Sequence, residues 1–107
     1  MTQNENMFTV NISKYGDSVG PREIGKEIRE RAIAHLKEGK KILFSFRGVH
    51  LISSGFSDEL FGLLFAEIGE DKFKNEIKIN EFDNDNDKNI IIAAIIRALE
   101  YRKKLQK

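Results

Sequence analysis

Apolar positions along this chain switch between two rhythms. Phe8, Val10 and Ile12 alternate with Thr9 and Asn11, the period of a half-buried strand. Ile24, Ile28, Ala32 and Leu36 then recur every four residues, the period of a helix face. The spacing predicts a first helix from about Arg22 to Leu36, with Gly25 turned toward the apolar face. Between these elements, Gly16, Gly20 and Pro21 are turn residues, and Pro21 suits a first helical turn. Gly39 suits a left-handed helix end.

The rhythm then repeats. Ile42, Leu43, Phe44 and Phe46 form a near-continuous apolar run, as expected of a central strand covered on both faces. Phe56, Leu60, Leu63, Leu64, Phe65 and Ile68 predict a second helix from near Ser54 to near Gly69. The segment Glu70–Glu76 is polar and reads as a connection. Ile77 and Ile79 alternate as a third strand, and residues 80–87 read as a polar loop. A last helix is predicted from about Lys88 to Lys104, with Asp87 as its N-cap. The first six residues are polar and expected to be disordered. Residues Asp17 to Val19 leave room for a further short strand.

Strand, helix, strand, helix, strand, helix implies an α/β domain. The expected sheet is small, mainly parallel or mixed, with three or four strands and three main helices. The whole chain, residues 1–107, reads as one domain.

Composition narrows the function. The 107 residues are 40% hydrophobic and include eight Phe, enough for a core. Eighteen basic and 17 acidic residues give a net charge of +1, against a strongly electrostatic nucleic-acid binder. There is no Cys, hence no disulfide or thiol chemistry. No signal-like start and no apolar run of about 18 residues is present, so a cytoplasmic protein without membrane contact is expected.

Candidate chemistry concentrates where the apolar run meets the second helix, at "VHLISSGFSDELFGLLF" (Val49 to Phe65). Ser53 or Ser54 can cap the helix, and Asp58 and Glu59 favour its positive end. A serine at that point is also exposed at a strand's carboxyl end, where α/β sheets hold their sites. It is a poor nucleophile: His35 and His50 are the only histidines and neither lies in a hydrolase-type motif. Arg22 can pair with Asp58 or Glu59, or join Arg47 in receiving a phosphate. The run Asp83 to Asp87 is calcium-loop-like, yet Lys88 and Ala94 stand where Gly and Glu are required, so no metal is expected. The last helix has more apolar surface than one face needs. Its surplus, Ile92 and Ile96, predicts either burial between neighbouring elements or an association surface, such as a homo-oligomer contact, and Phe61 is a similar surplus on the second helix.

The joint order of these elements resembles a known family. "FSFRGVHLISSGFSDELFGLLF", preceded by "GPREIGKEIRERA", is similar to the STAS-like family of small bacterial domains of unknown function. That family is related to the STAS domains of anti-sigma factor antagonists. Arg22, Gly25, Ser53, Ser54, Phe56, Asp58 and Glu59 carry the resemblance, which spans roughly residues 8 to 100. It implies a non-enzymatic signalling module that switches protein partners and uses no cofactor. In the antagonists, a histidine-kinase-like (GHKL) ATPase phosphorylates a serine at this helix start. Ser54 takes that position if aligned without a gap from Val49; Ser53 takes it if Ser-Ser-Gly is aligned instead. This chain has Ile52 where an Asp is expected. The implied partner surface is Arg22, Arg47, His50, Gly55, Phe56, Asp58 and Phe61. A small-ligand or nucleotide sensor using the same helix start is the alternative.

Overall fold

The computed structural model describes residues 6–105, so most of the segment expected to be disordered lies outside the described residues. In chain order the elements are β1 (Met7–Asn11), a 3-10 turn (Ile12–Tyr15), β2 (Ser18–Val19) and α1 (Arg22–Lys37). Then come β3 (Lys41–Ser45), β4 (Leu51–Ile52), α2 (Ser54–Ser57), a π-helical turn (Asp58–Gly62) and α3 (Leu63–Ile68). α4 (Glu70–Glu76), β5 (Ile77–Asn80) and α5 (Asp85–Leu105) complete the described chain. α2, the π turn and α3 follow one another without a break, as the single helix the sequence predicts.

All strand pairs are parallel. β3 lies between β1 and β5, with Val10 beside Phe44 and Phe44 beside Ile79. β2 is the suspected fourth strand. It pairs not with the main sheet but with β4, Val19 against Ile52.

β3 is not covered on both faces. Ile42 and Phe44 face the core with Phe8, Val10 and Ile77. The next residues point the other way, and there Thr9, Asn11, Lys78 and Asn80 are exposed and Leu43 is half-buried. An apolar run alone does not distinguish a two-sided strand from a one-sided strand with one extra Leu.

α1 buries Gly25, Ile28, Ala32 and Leu36, as its spacing requires. It ends at Gly39, whose φ of +86° lets its N–H and that of Lys40 reach back to the Leu36 and His35 carbonyls, at 2.9 and 3.1 Å.

Phe61 is core, not surplus: it is 0% exposed and packs on Phe44 and Phe46, with ring centroids 5.1 and 6.0 Å away. The π turn explains this. Widening one turn to i→i+5 admits an extra residue, so Leu60 and Phe61 both face inward. Burying one such aromatic contributes about 1.5–3 kcal/mol.

The segment after Gly69 is helical rather than a connection. Gly69, at φ +91°, stops α3, and α4 buries Phe73 against Phe65 at 5.3 Å. α5 begins three residues earlier than predicted. Asn84 caps it, its side-chain oxygen accepting from the Asp87 N–H at 2.9 Å. Asp87 is therefore inside the helix, and buried. α5 crosses the π turn closely at Gly62, where a Cβ would lie 3.3 Å from the Ala94 carbonyl oxygen.

Candidate functional site

The chain leaves β3, turns at Gly48 and forms β4 beside β2. The Ser53 N–H continues this ladder by donating to the Val19 carbonyl at 3.2 Å. Ser53 is extended, with φ −93° and ψ 161°, as an N-cap must be. Its hydroxyl is engaged twice: it accepts from the Phe56 N–H at 2.9 Å and donates to the Gly20 carbonyl at 2.7 Å. One side chain thus starts the helix and ties it to the turn before α1. Ser54, the first helical residue, is exposed.

Arg22 lies over Gly55. A Cβ there would stand 3.2 Å from Arg22 Nε, so Gly55 leaves room for the arginine stem. The guanidinium is 3.8 Å from Glu59 Oε1 and its side chain is 61% exposed, which makes this a weak surface pair. Arg29, only 12% exposed, holds Glu59 more firmly. It donates to the carboxylate at 3.1 Å and also to the Glu59 backbone carbonyl inside the π turn. Asp58 does not meet Arg22; Arg97 of α5 takes it at 2.6 Å.

The expected partner surface is therefore smaller than the sequence suggests. Phe56 and Phe61 are fully buried and leave it, because the helix presents them to the sheet. Arg47 joins a separate cluster at the ends of β3 and β5. Ser45 donates to Glu81 at 2.6 Å and Arg47 pairs with Glu81 at 3.1 Å. The Ser45 hydroxyl foremost, with help from Arg47, holds the Glu81 carboxyl below its ordinary value despite partial desolvation. Arg47, 81% exposed, thus meets Glu81 in a surface pair rather than standing with Arg22. His50 is exposed and pairs with Asp83 at 3.1 Å. What remains around Ser54 is Ser53, Gly55 and Arg22. Beside it lies a groove of about 340 Å³ lined by Ser18, Val19, Gly20, Leu51, Ile52 and Ser53, with Leu51 54% exposed.

Beneath β4 sits a residue first read as a cap. Both Asp87 carboxylate oxygens are buried and neither has a hydrogen-bond partner in the structure. Burial pushes this carboxyl above its ordinary value; the Ile52 backbone N–H and the Asn84 side chain lie near enough to offset part of the effect without closing a hydrogen bond to either oxygen.

Arg29, Glu81 and Arg97 were not singled out from the sequence. Arg29 carried a usable signal, since Arg22, Gly25 and Arg29 fall on one helical face at spacings of three and four. Glu81 and Arg97 meet residues 34 to 39 positions away, which no local pattern encodes.

A parallel α/β sheet with a capped helix start beyond its central strand defines the class. Residues 25–87, well over half of the chain, match the family described as STAS-like domain of unknown function (DUF4325), and the chain belongs to that family. No curated protein and no solved structure matches it. Among the described residues, no helix is long and apolar enough to cross a membrane, and no group of three or more His, Asp or Glu is placed to hold a metal ion.

Proposed function

We propose that this domain is a non-enzymatic, cytoplasmic regulatory module that docks a histidine-kinase-like ATPase through the surface around Ser54. The carrying observation is the division of labour between the two serines. Ser53 has both hydroxyl functions committed, whereas Ser54 presents a free surface at the first turn of the helix. Helix N–H groups and the Arg22 guanidinium favour a negative charge there, while Glu59 opposes it. Of the two candidate phosphoacceptors, Ser54 is the one this geometry favours. A phosphate on it would add negative charge to a small surface and so alter docking.

The test is incubation of the purified protein with histidine-kinase-like ATPases of the same organism and ATP. Expected are a complex with wild type, phosphate on Ser54 and not Ser53, and loss of the complex for Ser54→Asp. Absence of both complex and phosphoserine refutes the proposal. The groove beside Leu51 favours a second reading, a small-ligand sensor, since its volume is within the range of ligand sites. A thermal shift with nucleotides, without any partner complex, selects that reading.

A further inference from the structure

The outward face of α5 carries a regular stripe: Asp85, Asn89, Ile92, Ile96, Leu99 and Lys103, at spacings of four, three, four, three and four. This alternation of three and four is the spacing of a two-helix coiled-coil seam. None of these side chains is core. Ile92 and Ile96 are 43% and 49% exposed, Leu99 is half-buried where the seam borders the core and packs against it, and Asp85, Asn89 and Lys103 are exposed. The inner face of the same helix is already used, by Ile91 and Ala94 against the core and by Arg97 on Asp58. A helix that has met its own core on one side has no intramolecular reason for a second apolar seam.

We propose that this seam pairs with the same seam of a second copy, antiparallel and about a two-fold axis. The occupant follows from charge. The seam is apolar at its centre, acidic at its start and basic at its end. A parallel pair would set Asp85 against Asp85 and Lys103 against Lys103. The antiparallel pair sets Ile92 against Ile96 of the second copy, and Asp85 against its Lys103. Both relations recur at the other end by symmetry, as a self-complementary interface requires. One register holds along the whole seam; it also sets Asn89 beside Leu99 at the edge of the isoleucine centre. The end pairs are exposed, so they select orientation, while the isoleucines supply affinity. This goes beyond the docking of a partner at Ser54 and does not depend on it.

The test is sedimentation velocity of the full chain over a concentration series, reading mass against the 12.3 kDa monomer. Wild type is expected to shift from monomer to dimer as concentration rises. Ile92→Ser with Ile96→Ser is expected to stay monomeric while keeping its circular dichroism, both residues being exposed. Asp85→Lys and Lys103→Asp are each expected to weaken dimerisation about tenfold, since each creates two like-charged contacts. An equimolar mixture of these two variants should recover wild-type affinity, because the heterodimer then pairs opposite charges at both ends; orientation is read from the single variants, since a parallel wild-type pair already sets like charges at both ends and neither variant would weaken it. A wild-type chain that stays monomeric throughout, a dimer unaffected by the serine pair, or a mixture no tighter than its components would each overturn the proposal.

Discussion

Two glycines lie where α1 crosses the start of the second helix, and they should respond in opposite ways to the same methyl group. At Gly25 an added Cβ would stand 2.8 Å from the Phe56 carbonyl oxygen, 3.2 Å from Glu59 Cβ and 3.3 Å from the Leu60 nitrogen. Two of these neighbours are backbone of a packed helix and cannot move alone. Ala gains about 1 kcal/mol over Gly in helix propensity. Overpacking against backbone costs about 1–3 kcal/mol, and such a short contact belongs at the upper end. Gly25→Ala should therefore lose about 1–2 kcal/mol net. At Gly55 the added Cβ meets only Arg22 side-chain atoms, at 3.2 to 3.5 Å, and that side chain can swing into solvent. Gly55→Ala should be neutral or up to about 1 kcal/mol stabilising, while displacing Arg22 from beside Ser54. Urea unfolding at unchanged m-value measures both. A Gly25→Ala protein as stable as wild type, or equal effects at the two glycines, would refute the close approach of α1 on which the site geometry depends.

Ser53→Ala removes the cap and the bond to Gly20 and should cost about 1–3 kcal/mol, whereas Ser54→Ala should stay within about 0.5 kcal/mol; urea midpoints distinguish them. Phe61→Ala should cost about 3–5 kcal/mol, a core value that a surface aromatic would not reach in the same assay. Asp87 has a folded-state pKa raised above 3.8, so its folded form holds a proton more tightly than its unfolded form. Its contribution is fully present below pH 3.8 and is lost as pH rises through the folded value. Asp87→Asn should thus be more stable than wild type at pH 7, and the gap should close on acidification; a gap independent of pH would disprove the buried charge.

The local code was strong where one element sufficed. Spacing of Ile24, Ile28, Ala32 and Leu36 set α1, and Gly39 its end. The serine pair marked the start of the second helix, but not which serine caps it. That choice required the Gly20 carbonyl, 33 residues away, which engages Ser53 and leaves Ser54 exposed. Phe61 was misread because a 3.6-residue period cannot anticipate a π turn, which Arg29 supports from another helix. The spacing of Phe56 puts it on the apolar helix face, where its side chain does fill the core; only the resemblance places it on the partner surface. The open face of β3 was hidden because an apolar run does not report what lies across a sheet. By itself the sequence determined the order of elements, their approximate limits and the junction that matters, since these depend on neighbours within a few residues. Only the tertiary structure decided which junction residues face solvent and which charges meet. Burial and ion pairing are properties of distant segments brought together, and no single segment contains them.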